Sequence, residues 1–161
     1  MELKHKISFG SVSHGTMRPQ DLIPCFVDEI LWHDPNNEVA ERIKSRYEVG
    51  ILEDEEDFDP DDYFESEDAS YDLNEDLFNE LNRLCEDIPY CYFGASEGDG
   101  SDYGFWIDTN TINYDFEGLK VSDLSEIPDD YEGEFLVVND HGNTSLYNRW
   151  NNENTEIWSI V

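Results

Sequence analysis

Basic residues are what this sequence lacks most. Nine Lys and Arg stand against 40 Asp and Glu in 161 residues, a formal charge of −31. That imbalance excludes a chain that grips nucleic acid directly, since such binding rests on Lys and Arg neutralising phosphates. It also argues against a phosphate-handling enzyme, whose substrate the field would repel. Cysteine is scarce. Cys25, Cys85 and Cys91 form an odd set with no CxxC and no Cys/His pair at zinc spacing, so neither a disulfide framework nor a structural zinc is expected. No apolar run approaches the ~20 residues of a membrane-spanning helix, and Met1–Lys6 lacks the apolar stretch of a secretory signal. Free thiols in a reducing cytoplasm, and no membrane partner, are the expectation. No G-x-S-x-G, Gly-rich phosphate loop or HExxH occurs, so no catalytic residue, cofactor or metal is assigned.

Aromatics, by contrast, are plentiful. Nine Phe, nine Tyr and four Trp make up 14% of the chain, which separates it from disordered acidic tails. The length suits one domain, 1–161, with a core large enough to need no staples. Charge is unevenly spread. Residues 1–47 are near neutral, with six basic residues and seven acids, whereas 48–161 hold 33 acids against Arg83, Lys120 and Arg149. A one-sided field follows.

Apolar periodicity at Leu22, Ile23, Phe26, Val27, Ile30 and Leu31 predicts a helix, with regular winding expected to begin near Pro24. A strand is expected over 3–12. Asp34-Pro35 reads as the start of a second helix carrying Val39, Ile43 and Tyr47 and stopping near Gly50. Asp59-Pro60 opens a short acidic helix. Leu73, Leu77, Phe78, Leu81, Leu84 and Cys85 mark an amphipathic helix over 71–87. Beyond Pro89 the pattern turns to strands at 90–94, 103–107, 134–138, 144–147 and 155–161, separated by turns at 96–102, 139–143 and 148–154. The fold expected is α+β: an antiparallel sheet of four to six strands with about three to four helices packed on one face.

Two local clusters have plain explanations. Glu97-Gly-Asp-Gly-Ser-Asp102 lacks the register of a Ca²⁺ loop and suits a hairpin turn. Asn139-Asp-His-Gly142 places an acid beside a histidine, but Asp-x-Gly between two apolar strands is a turn signal. A small hydrolase would require Cys25, Cys85 or Cys91 to meet His14, His33 or His141, and nothing local brings them together.

The densest charge run, 53–68, has three readings. One is a merely solvated face, although the self-repulsion of about 30 like charges has a cost that calls for a use. A second is halophilic adaptation, which the scarcity of alanine (Ala40, Ala69 and Ala95) disfavours. The third is imitation of a nucleic-acid backbone, and magnitude favours it. A compact chain of this length is about 40 Å across, and duplex DNA of that length carries roughly 24 charges. The expected partner is therefore a basic nucleic-acid-binding protein, not nucleic acid itself. The binding face is expected on Glu53, Asp54, Glu55, Glu56, Asp57, Asp59, Asp61, Asp62, Glu65, Glu67 and Asp68, extended by Asp72, Glu75, Asp76 and Glu80. Phe58, Tyr63, Phe64 and Tyr71 among these acids would add directional contacts. Crowded acids should also repel, raising carboxylate pKa values on average and favouring the fold at higher salt and as pH falls from 7 towards about 5. That gain should reverse at still lower pH, as paired or capping carboxylates become protonated.

Three segments, Gly15-Thr-Met-Arg-Pro-Gln-Asp-Leu-Ile-Pro24, Tyr92-Phe-Gly-Ala-Ser-Glu-Gly-Asp-Gly-Ser-Asp-Tyr-Gly-Phe-Trp106 and Val138-Asn-Asp-His-Gly-Asn143, resemble small uncharacterised acidic proteins of phages and mobile elements. The resemblance implies a phage-like origin and carries no functional residue. In size and charge the chain is similar to ArdA-type antirestriction proteins and other DNA-mimic inhibitors, a likeness of composition. It implies an inhibitor that blocks the nucleic-acid groove of a host defence nuclease, of restriction or CRISPR type. The competing reading is a phage structural or host-takeover module that meets no nucleic-acid binder. Oligomeric state is left open, a homodimer included.

Overall fold

Pro19 begins the first long helix, α1 (Pro19–His33), in the computed structural model, which describes residues 3–52 and 59–161. Proline at the first helical position loses no hydrogen bond. The helix therefore begins a full turn before Pro24, which it carries inside, correcting the expected start. The missing Pro24 N–H deprives one carbonyl of its partner. The continuous apolar face of Leu22, Ile23, Phe26, Val27 and Ile30, all buried, outweighs that loss.

The expected first strand shortens to β1 (Gly10–Ser13). Helix α2 (Glu38–Leu52) starts later than Asp34-Pro35 suggests and runs past Gly50. Asn37 is the residue that caps it, its Oδ1 accepting from the Ala40 N–H at 2.9 Å. Asp34 is drawn away to Arg83, 3.1 Å distant. Asp59 caps the short helix α3 (Pro60–Phe64) as expected, and Ser66 caps α4 (Glu67–Tyr71).

The amphipathic segment beyond is longer than 71–87 and is not α-helical throughout. Helix α4 passes into a π-helical stretch (Asp72–Leu77) and then α5 (Phe78–Cys85). Spacing explains the looser winding. Ala69, Leu73, Leu77 and Leu81 recur every four residues and all are buried. In a 3.6-residue helix each such step overshoots by about 40°. A wider turn takes up the drift and keeps the four side chains on one face.

The chain divides into two compact units, Met1–Trp106 and Ile107–Val161. In the first, β2 (Cys91–Ser96) and β3 (Asp99–Ile107) form a hairpin whose turn is only Glu97-Gly98, so most of the expected 96–102 loop is strand. The three-stranded sheet has the order β1-β3-β2. Gly104 lets β1 approach. A Cβ there would stand 2.0 Å from the Gly10 carbonyl oxygen. The core joins α1, α2 and the α4–α5 segment to the sheet through Phe93 and Phe105, with edge-to-face contacts centred on Phe26, Phe78 and Phe93.

The second unit contains three elements absent from the sequence reading: α6 (Thr109–Asp115), capped by Asp108, β4 (Leu119–Val121), and a 3-10 turn (Leu124–Glu126), capped by Asp123. Strand β4 pairs parallel with β5 (Gly133–Val138), which continues antiparallel to β6 (Thr144–Trp150) and β7 (Glu153–Ile160). The β6–β7 turn is just Asn151-Asn152, both with positive φ, the conformation that two-residue hairpins favour and asparagine tolerates. The Asn-rich 148–154 is thus largely strand. The class is α+β, with its strands shared between a three-stranded and a four-stranded sheet.

Candidate functional site

The helical segment beginning at Glu67 is paired with the arginines of α2. Arg42 and Arg46 lie one turn apart on α2, and each reaches the helical segment beginning at Glu67. Arg42 pairs with Asp76 at 2.5 Å, and Arg46 with Asp72 at 3.0 Å and Asp68 at 3.5 Å. Asp72 is only 1% exposed and also accepts from the Tyr63 hydroxyl at 2.7 Å. Burial, then this hydrogen bond, push the Tyr63 phenol far above its ordinary value. Further along, Arg83 holds both Glu80 and Asp34, and the Asn37 amide donates to Glu80 at 2.6 Å.

These pairings sort the expected binding residues. Asp72 is an internal acid and leaves the candidate surface, and Asp76 and Glu80 are half-buried and tied to arginines. Asp59, Asp61, Asp62, Glu65, Glu67, Asp68 and Glu75 are exposed on or beside α3, on α4 and within the π-helical stretch. Of these, Asp59 spends a carboxylate oxygen on the Asp61 N–H, and Asp68 shares Arg46. Glu53, Asp54, Glu55, Glu56 and Asp57 lie outside the described residues, as does Phe58. Tyr63 and Phe64 turn inward onto Tyr47, leaving Tyr71, 61% exposed, as the aromatic side chain presented beside these acids among the described residues.

The first unit therefore uses Arg18, Arg42, Lys44, Arg46 and Arg83 in pairs with its own carboxylates. The second has 12 acids against Lys120 and Arg149. Arg149 donates to Asn154 and Asn152, and Lys120 lies over the Phe116 ring. Eleven of those acids, all but the half-buried Asp108, are exposed, including the run Asp129, Asp130, Glu132 and Glu134.

The nucleophile and metal alternatives find no geometry among the described residues. His14 faces Asp102, His33 is buried between Glu29 and the His5 carbonyl, and His141 is exposed in its turn. Cys25 donates to the Val12 carbonyl and Cys85 to the Asn82 carbonyl, while the Cys91 thiol donates to the Cys85 sulfur. That bond, with burial, pushes the Cys91 thiol up. No group of three potential metal ligands occurs among the described residues, and none of their helices is long and apolar enough to cross a membrane.

Repulsion does not govern the carboxylates whose pKa values are displaced. Hydrogen bonds from Arg18 to Asp21, from the Ser101 N–H to Asp99, from Thr111 to Asp108, from Ser125 to Asp123 and from the Ser122 N–H to Glu126 hold all five below their ordinary values. A lowered folded-state pKa gives stability that is complete above the unfolded value and lost as pH falls through the folded one. These groups should therefore protect the fold down to about pH 4, near the unfolded carboxylate values. A melting series should show an acid limb beginning there. Melting temperatures unchanged to pH 2.5 would contradict the assignment.

No protein-family description, curated protein or solved structure matches this chain.

Proposed function

We propose that this chain is an acidic inhibitor that occupies the nucleic-acid groove of a basic protein by imitating the nucleic-acid backbone, with a host defence nuclease as the natural target class. The observation that carries this reading is the sorting of charge in the first unit. Arginines of α2 and α5 are consumed by Asp68, Asp72, Asp76, Glu80 and Asp34, while Asp61, Asp62, Glu65, Glu67 and Glu75 stay exposed without a basic neighbour within ion-pair distance among the described residues. Such a surface attracts Lys- and Arg-lined grooves over long range and repels nucleic acid. Tyr71 offers the desolvated contact that charge alone lacks.

The experiment is competition. Labelled duplex DNA bound to each member of a panel of restriction and CRISPR nucleases is titrated with the chain, and anisotropy reports release. The reading expects stoichiometric displacement from at least one nuclease and no binding of the chain to free duplex. Failure to displace duplex from every basic nucleic-acid binder tested, with capture of neutral or acidic partners instead, would favour the interaction-module reading.

A further inference from the structure

In a unit where acids outnumber bases six to one, one concavity has a cation and no carboxylate in its wall. It lies wholly within the second unit, has a volume of about 270 Å³, and is lined by Thr109, Ile112, Asn113, Lys120, Leu136, Val138, Gly142 and Thr144. Pairing of β4, β5 and β6 builds its floor. Lys120 is the register partner of Leu136, and Val138 that of Thr144, so all four side chains stand on one face of the sheet. Helix α6 contributes Ile112, Asn113 and Thr109. None of the unit's 12 acids lines it. The nearest in sequence, Asp108, is engaged at the helix start by the Thr111 N–H at 2.8 Å and the Thr111 hydroxyl at 2.7 Å.

Chemistry narrows the occupant. The Lys120 ammonium stands 5.9 Å from the Phe116 ring centre, with no carboxylate within ion-pair distance among the described residues. It is thus a donor available to an anion. Ile112 and Leu136 are buried and the exposed Val138 adjoins them, giving an apolar bed beside that donor. The surrounding negative field opposes anions at long range, so a bare inorganic anion gains too little to enter. An anion with an apolar body gains from both parts. The volume equals that of about nine water molecules, just below the usual range for ligand pockets and so suited to a small occupant.

We propose that this cavity is a binding site for a small amphiphilic organic anion, an aliphatic carboxylate, with Lys120 holding the carboxylate and Ile112, Leu136 and Val138 the hydrocarbon. Thr109, Asn113 and Thr144 supply hydrogen bonds at the rim. The site lies within the second unit and does not depend on the inhibitor reading.

Amide NMR spectra of the full chain, titrated with sodium octanoate, 1-octanol and inorganic phosphate, test this. Octanoate should shift the amides of Ile112, Asn113, Lys120, Leu136, Val138 and Thr144 with a Kd of about 1 mM or tighter. Octanol should bind about tenfold more weakly, and phosphate should leave these amides unmoved. Lys120→Gln should bring octanoate down to the octanol level, and Lys120→Arg should restore most of the difference. Lys120 is exposed, so these variants should keep the native spectrum elsewhere. Octanol binding as tightly as octanoate, unchanged affinity in Lys120→Gln, shifts confined to other residues, or no shifts at saturating octanoate would each overturn the proposal.

Discussion

Asp72→Ala should lower the free energy of unfolding by about 3 kcal/mol, measured by chemical denaturation. The carboxylate is buried, and two groups depend on it: the Arg46 guanidinium at 3.0 Å and the Tyr63 hydroxyl at 2.7 Å. Removing one member of a buried pair leaves the other's desolvation uncompensated. Arg46 is about one-third exposed and keeps Asp68 nearby, which places the loss at the lower end of the usual range for such pairs. Tyr63→Phe should cost only about 1 kcal/mol, since the carboxylate then retains its arginine. Asp62→Ala, an exposed acid on the same surface, should change stability by less than about 0.5 kcal/mol. Equal effects from Asp72→Ala and Asp62→Ala would mean that burial does not distinguish the two acids, and the sorting of charge would fail with it.

That sorting was only partly legible in the sequence. Amphipathic periodicity identified α1 and the α4–α5 segment, and Asp59-Pro60 and the Glu97-Gly98 region marked a helix start and a turn. All of these are local signals, in which one or two residues set backbone conformation. Where a distant partner decides the outcome, local sequence does not carry it. Asp34 suits an N-cap as well as Asn37 does, and Arg83, 49 residues away, takes it out of that role. Asp72 reads as one acid among many on a helix face until the π-helical stretch and Arg46 turn it inward. The four-residue spacing of Ala69, Leu73, Leu77 and Leu81 was visible and is the signal for that stretch. Strand β4 is three residues long and gains its identity from parallel pairing with β5, each residue meeting a partner 16 positions later, which no local pattern encodes. Helix α6 has the signature of a capped start in Asp108 and Thr111, but its polar sequence hides it from a search for apolar periodicity.

Charge reversal at four exposed acids, Asp62, Glu65, Glu67 and Glu75 each to Lys, should weaken binding to a basic partner by about 100-fold or more. Four exposed ion pairs at up to about 1 kcal/mol each account for that loss before any repulsion is added. The caps Asp59 and Ser66 and the internal acids Asp72, Asp76 and Glu80 are left untouched, so the melting temperature should stay within a few degrees of the parent. Reversal of Asp129, Asp130, Glu132 and Glu134 in the second unit serves as the control, with the same change in net charge. It should reduce affinity far less. If the control abolishes binding while the first set spares it, the contact surface lies on the second unit.

Salt dependence of affinity is the most direct measure of backbone mimicry. With a displaced nuclease in hand, the dissociation constant of its complex with this chain is determined at salt concentrations from about 50 to about 500 mM. Imitation of a phosphate backbone predicts that log affinity falls linearly with log salt, with a slope comparable to that of the same nuclease on duplex DNA, and that the four-residue reversal flattens it. An affinity that is unchanged across that range would contradict electrostatic mimicry and leave the exposed acids as a solvated face.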